Sequence, residues 1–211
     1  MGQYYRAIFL NEKKNRPVSV TPSYDFGSGA KLMEHSWMKN DFVRFVELQL
    51  IAEPRNLVWS GDYADNEMDL TDAEIKPHVD ETSEYWTLEK LKKEGINLYS
   101  LSDNVGKLIP NEDVKDKYDH KFKSVAPLKY KYLINFDKKE FVNKEKTPKG
   151  SDGWKIHPLP LLTAEGNNRD GDDYRGESKL IGVWARDKIG VVSRKADIPN
   201  DFKEVVVDFV E

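Results

Sequence analysis

Apolar and polar positions alternate along the chain with a period that changes several times, and each change predicts an element. Tyr4 to Leu10 is rich in aromatic and β-branched residues, Asn11 to Arg16 is polar, and Val18 and Val20 resume the alternation, which predicts a β-hairpin. Tyr4 and Tyr5, as strand neighbours, are expected to point to opposite faces and to pack in the sheet. A loop with two glycines then leads to a short helical run over Ala30 to Trp37. From Asp41 the period lengthens: Phe42, Phe45, Val46, Gln49 and Leu50 fall at the spacing of one helix face, with Asn40 as N-cap and Pro54 as the stop.

Asn56 to Ser60 predicts a strand ending in the polar turn Ser60-Gly61-Asp62-Tyr63. Ser83 to Glu94 predicts an amphipathic helix with Tyr85, Trp86, Leu88 and Leu91 inward and Gly95 as a left-handed cap. The Lys- and Asp-rich stretch from Val105 to Pro127 is expected to be a surface loop. Tyr130, Tyr132, Ile134 and Phe136 alternate with Lys131, Leu133 and Asn135, and Phe141 and Val142 begin the return strand of a second hairpin. Leu180 to Trp184 and Ile189 to Val192 predict a third hairpin, and Val205 to Phe209 a last strand. The expected fold is a single α+β domain over residues 1–211. Its largely antiparallel sheet is built from hairpins, with helices over Ala30 to Ile51 and Ser83 to Glu94 packed on one face.

Composition agrees with one folded domain. The 211 residues contain no low-complexity linker; at 38% hydrophobic the chain is lean and at 33% charged it is rich, but 11% aromatic side chains set it apart from a disordered sequence. The absence of Cys excludes disulfides, thiolate metal sites and a cysteine nucleophile, and fits a reducing, cytoplasmic setting. No apolar run approaches the roughly 20 residues of a membrane span, so no membrane association is expected. Gly2 does not make a myristoylation signal, because Arg6 stands where Ser or Thr is required.

A net charge of −4 argues against direct nucleic-acid binding unless charge is segregated. It is segregated: Asp62, Asp65, Glu67, Asp69, Asp72, Glu74, Asp80, Glu81 and Glu84 face only Lys76 over that stretch, whereas lysines outnumber acids between Lys115 and Lys149. Two readings stay open, a pair of solvated faces or an acidic surface that meets a basic protein partner.

Candidate chemistry concentrates between Trp154 and Glu177. A Pro-braced apolar run from His157 to Leu162 leads into a tract of carboxylates, amides, two Arg and three Gly, so residues 163–177 are the candidate functional loop. Placing Gly171 at the sixth position of a calcium loop puts Gly166 where a carboxylate is needed, and no helix enters, so the match fails. A hard-metal site from Asp62, Glu67, His157 and Glu165 would require those residues to meet in space.

No nucleophile elbow, dinucleotide fingerprint or phosphate loop occurs, and the reading leans away from catalysis and names no cofactor. The leading expectation is a non-catalytic site for a polar, nucleotide-like small molecule. Its candidate residues are His35, Trp59, Asp62, Tyr63, His157, Thr163, Glu165, Asn167, Arg169, Asp173, Tyr174 and Arg175. For His35 and His157 the plainer reading is a structural hydrogen-bonder, and for the Pro158 to Leu162 run a plug in the core. The alternatives are a protein–protein inhibitor acting through the acidic 62–84 surface, and a metal-dependent hydrolase.

Met1-Gly2-Gln3-Tyr4-Tyr5, Lys31-Leu32-Met33-Glu34-His35-Ser36, Trp59-Ser60-Gly61-Asp62-Tyr63 and His157-Pro158-Leu159-Pro160-Leu161-Leu162-Thr163-Ala164-Glu165-Gly166 carry a further likeness. On these segments the chain resembles a group of uncharacterised proteins from bacteria and their phages. The resemblance implies no activity for any residue. It implies a small intracellular accessory protein and, for a phage-borne gene, an inhibitor of a host defence that grips a protein or sequesters a nucleotide signal.

Overall fold

The computed structural model describes residues 3–108, 130–151, 153–166, 174, 176 and 178–210. The expected hairpin forms from β1 (Tyr5–Leu10) and β2 (Pro17–Thr21), antiparallel with Ile8 opposite Val20. β1 also pairs antiparallel with β3 (Arg55–Gly61), placing Tyr5 against Gly61 and Ala7 against Trp59. The second hairpin is β7 (Tyr132–Asn135) with β8 (Glu140–Asn143). β10 (Lys188–Val192) joins the hairpins by pairing antiparallel with β7 and, through Lys188 and Ile189, with the start of β3. Short parallel strands complete the sheet. β6 (Gly106–Lys107) lies on β2, β9 (Ala164–Glu165) on the end of β3, and β11 (Lys203–Glu204) on β8. The sheet is therefore mostly antiparallel in a single α+β domain, as the alternation predicts.

Alternation along β1 and β3 divides the core in two. Tyr5, Ala7, Phe9, Leu57 and Trp59 face one layer and Ile8, Leu10 and Val58 the other. Helix α1 (Leu32–His35) and α2 (Asp41–Ala52) cover the first layer. Asn40 caps α2 as expected, its side chain accepting from the Phe42 and Val43 amides. Phe42, Val43, Val46 and Leu50 are buried against the sheet, each contributing about 1.5–3 kcal/mol.

Helix α3 (Asp72–Ile75), α4 (Leu88–Glu94) and α5 (Leu98–Leu101) supply Ile75, Leu91, Leu98 and Leu101 to the opposite layer. The helices thus divide between two faces instead of sharing one, because both sides of β1 and β3 are apolar. A two-stranded ladder of β4 (Asn66–Glu67) and β5 (Ile96–Asn97) closes this second layer.

Three expected elements are altered, each for a local reason. Ser83 to Thr87 stays outside α4: Ser83 Oγ accepts from the Tyr85 amide and Thr87 caps the helix at the Lys90 amide, so short side chains compete with helical bonding. Only Leu91 of the four predicted inward residues is buried, and Tyr85, Trp86 and Leu88 are exposed. Gly95 does end α4, but with φ +74 and ψ −172 instead of the left-handed helical geometry. An added Cβ there would meet the Glu67 carbonyl oxygen at 2.3 Å.

Residues 179–186 form consecutive turns and not the first arm of a third hairpin. Their amides are spent elsewhere, Gly182 donating to Leu161 and Trp184 to Leu162 at 2.8 and 2.7 Å. The last strand is confined to β11; beyond it Val207 and Phe209 are buried in the core without a ladder of their own. In the stretch expected to be a surface loop, Gly106 and Lys107 form β6, and residues 109–129 lie outside the described residues.

Candidate functional site

The parallel pairing of β9 with β3 brings the 59–63 turn to the entrance of the 163–177 stretch, with Trp59 beside Ala164 and Ser60 beside Glu165. Helix α6 (Pro158–Leu162) delivers the chain there. Pro158 occupies its first position, all five of its residues are buried, and the run is the core plug of the plainer reading. Gln3 is wedged at this junction, wholly buried: a Cβ on Gly61 or Gly166 would meet its Nε2 at 2.1 or 2.4 Å. Tyr5 donates to Gln3 Oε1 at 2.9 Å, while Gln3 Nε2 has no hydrogen-bond partner among the described residues.

Around the junction, Asp62 accepts from the Tyr4 amide at 3.1 Å, and burial raises its carboxyl above the usual range against that bond. Tyr63 is exposed. Glu165 is paired with Arg186, whose Nη2 reaches Glu165 at 3.0 Å and Glu67 at 2.6 Å. One guanidinium therefore ties β4, β9 and the 179–186 turns together. Burial opposes the Arg186 charge, but the two carboxylates outweigh it and raise its pKa.

The remaining described candidates are interior groups with structural partners. His35 is fully buried, accepting from the Trp59 indole at 2.9 Å and meeting the Gly29 carbonyl at 3.0 Å. Burial lowers its pKa to about 4 although the Gly29 bond raises it. Thr163 donates to the Leu159 carbonyl at 2.8 Å, and its own carbonyl accepts from the Trp59 amide. Tyr174 is buried, with its hydroxyl donating to Val210 at 3.1 Å and its ring edge-on to Phe209. Asn167, Arg169, Asp173 and Arg175 lie outside the described residues.

His157 belongs to a buried charge cluster that periodicity could not reveal. Its Nδ1 accepts from the Leu159 amide at 3.2 Å and caps α6, which leaves the proton on Nε2, 3.1 Å from Glu47 Oε1. That proton lacks a well-aligned hydrogen bond among the described residues. Lys144, just after β8, donates to the same Glu47 oxygen, and all three residues are buried. Burial alone would raise the Glu47 carboxyl, but Lys144 and His157 overcome it and hold the group at about 2. Burial depresses His157 in spite of Glu47. Glu47 is buried on α2 outside the stripe of Phe42, Phe45, Val46, Gln49 and Leu50, so the sequence offered no signal for it either.

The hard-metal set is dispersed: Glu67 and Glu165 are engaged by Arg186, Asp62 by the Tyr4 amide, and His157 sits in the core beside Glu47. No group of three or more His, Asp or Glu side chains suited to a metal ion occurs among the described residues. No helix among the described residues is long and apolar enough to cross a membrane.

A different set of exposed groups lies on the layer formed by α3, α4, α5, β4 and β5. Between Asp62 and Asn104 twelve carboxylates stand against four lysines. Met68, Tyr85, Trp86 and Leu88 are exposed there, Tyr85 at 67% and Met68 at 51%. Tyr85, Trp86, Lys90 and Gly95 line one cleft of about 160 Å³, and Met68 Sδ would lie 3.0 Å from a Cβ on Gly95, so the aromatics and Met68 flank the same depression. Lys90 Nζ sits over the Tyr85 ring, 4.5 Å from its centroid. No protein-family model, curated protein or solved structure matches the chain.

Proposed function

We propose that the protein is a non-catalytic binding protein whose partner-facing surface is the acidic layer between Asp62 and Asn104, and that the partner is a protein presenting a basic face. The observation that supports this reading is the coincidence of exposed Met68, Tyr85 and Trp86 with a segment that keeps a surplus of five negative charges after its four lysines and the arginines Arg6, Arg16 and Arg186, which pair with Asp103, Glu74 and Glu67, are set against its twelve carboxylates. Large aromatics and Met are the side chains that anchor protein interfaces, and a surrounding field of one sign selects and steers a partner of the other. Exposed aromatics would otherwise carry a solubility cost on a layer that buries Ile75, Leu91 and Leu98 well.

The alternative site for a polar small molecule around the 59–63 turn retains Asp62, Tyr63 and Glu165 at least partly exposed among the described residues, and Glu165 is already paired. That balance favours the acidic layer. The resemblance to bacterial and phage proteins fits an intracellular accessory protein that counters a host defence by gripping one of its components.

The test is affinity capture from bacterial lysate with the unaltered protein and with a Tyr85→Ser, Trp86→Ser variant. A partner that binds the former, is lost by the latter and associates more slowly as salt rises is the expected outcome. Partners that bind both proteins equally would sink the reading.

A further inference from the structure

The exposed aromatics stand on a loop that closes on itself. The Asp80 amide donates to the Trp86 carbonyl at 2.8 Å and the Ser83 amide to the Asp80 carbonyl at 3.0 Å, so the two ends of the loop meet. Within it, the Asp80 carboxylate accepts from the Thr82 amide and hydroxyl at 2.9 and 2.6 Å, and Ser83 Oγ accepts from the Tyr85 amide at 3.1 Å. A loop bonded within itself presents Tyr85 and Trp86 already in place, so docking a partner on them orders few further groups.

The cleft that these two aromatics line encloses about 160 Å³. That is below the roughly 300–1,000 Å³ of small-molecule sites and suits one long side chain. Leu91 and Ile96, both buried, give the cleft an apolar base, and Lys90 and Glu94 are its charged residues.

Charge decides which side chain fits. Lys90 is directed to the Tyr85 side, its Nζ 4.5 Å from the ring centroid and 3.5 Å from the Glu84 carbonyl oxygen. Among the described residues Trp86 carries no cation, and its indole N–H makes no hydrogen bond. The carboxylate of Glu94, one helical turn beyond Lys90 on α4, is likewise unbonded among the described residues.

An acidic occupant would oppose the negative surplus of the segment, and an apolar one would offer Glu94 nothing. A lysine brings charge, but its ammonium is compact and strongly hydrated. A guanidinium is flat, more weakly hydrated and stacks on aromatic faces while its stem lies along apolar surface.

We infer that this cleft takes an arginine side chain from the basic face of the partner, the guanidinium stacked on Trp86 and paired with Glu94, the stem on Leu91 and Ile96. The inference rests on the reading of the acidic layer as the partner-facing surface and adds the residue that the layer recognises.

N-acetyl-argininamide titrated into the full-length protein tests this by NMR of the Trp86 indole N–H, at matched ionic strength. The signal should shift saturably. N-acetyl-citrullinamide, of the same shape without the charge, should bind at least about tenfold more weakly, the factor expected from losing a hydrogen bond between charged groups. N-acetyl-lysinamide, with the charge but no plane to stack, should bind about threefold more weakly.

Glu94→Gln should weaken the arginine probe about tenfold, whereas Glu89→Gln, outside the lining, should change it less than about twofold. The inference is overturned by an unmoved Trp86 signal at about 0.1 M probe, where a millimolar site is nearly filled. Equal binding of the citrulline probe, or equal effects of Glu94→Gln and Glu89→Gln, would also overturn it. None of these outcomes touches the reading of the surface itself, which fails only if the Tyr85→Ser, Trp86→Ser variant still captures every partner.

Discussion

The indole N–H of Trp59 donates to Nε2 of His35 at 2.9 Å, and since an indole can only donate, the His35 proton is fixed on Nδ1, facing the Gly29 carbonyl at 3.0 Å. Protonating the ring would set two hydrogens against each other in a sealed interior. Burial is accordingly the main cause that lowers His35 to about 4 from an ordinary 6.5. Between those values the unfolded chain binds the proton and the folded chain does not. The stabilisation is therefore complete above pH 6.5 and is lost as pH falls toward 4.

The expected loss from His35 is on the order of 3 kcal/mol, and His157, also depressed by burial, adds to it in the same direction. Urea unfolding at a series of pH values checks this. His35→Phe should flatten the dependence and cost about 1–3 kcal/mol at neutral pH by leaving the Trp59 N–H unpaired. A His35→Phe profile as steep as that of the unaltered protein would refute the assignment.

Lys144 and Glu47 are paired inside the core, joining the exit of β8 to the inner face of α2. Removing either partner strands a buried charge, so Lys144→Met and Glu47→Leu should each cost about 3–5 kcal/mol. The double variant should be far less destabilised than the sum, since neither charge is then left alone. Additive costs in a double-mutant cycle would show that the pair is not coupled. Below the ordinary carboxylate range a separate acid transition is expected: Glu47, held at about 2 by Lys144 and His157 against burial, gives up its stabilisation as pH falls from 4.5 toward 2.

These buried pairs mark the limit of what the sequence conveys. Period-two alternation sufficed for β1 with β2 and for β7 with β8, because each hairpin is local and its turn lies within the pattern. Helix α2 was equally plain from Asn40, the apolar face and Pro54. The failures are non-local. Leu180 to Trp184 has strand composition, but α6 claims its amides from another part of the chain. Tyr85 and Trp86 fit a helical face that Ser83 and Thr87 interrupt.

Arg186 carried no signal, although it links two of the carboxylates named as candidates, and its pairing depends on a turn with φ +67. His35 and His157 illustrate the general difficulty: a histidine that could bind a ligand and one that caps a buried helix share the same letter.

Arg186 should behave as a structural clasp. Arg186→Met leaves Glu67 and Glu165 close together without their common cation, at an expected cost of about 1–3 kcal/mol. Glu165→Gln keeps the shape and part of the bonding, so its cost should be smaller, and its effect should appear in thermal unfolding, with no dependence on added magnesium or manganese. Metal-dependent phosphoester hydrolysis that disappears in Glu165→Gln while the melting temperature stays unchanged would restore the hydrolase alternative.

The acidic layer supplies the last prediction, in which affinity and rate must part company. Glu84 and Glu89 are exposed beside Tyr85 and Leu88, and among the described residues neither side chain is bonded to the rest of the layer. Reversing both to Lys should leave urea stability within about 0.5 kcal/mol, as for most surface changes. It should also slow association with the captured partner several-fold at low salt, an effect that disappears when ionic strength approaches 1 M and screening shortens to about 3 Å. Tyr85→Ser and Trp86→Ser should act the other way, speeding dissociation with little change in the salt dependence, because an aromatic anchor contributes after the encounter. Stopped-flow binding of the four proteins separates the two effects. If the charge reversal changed neither the on-rate nor its salt slope while the aromatic changes still weakened binding, the partner would dock on the aromatics alone, and the acidic field would be only a solvated face.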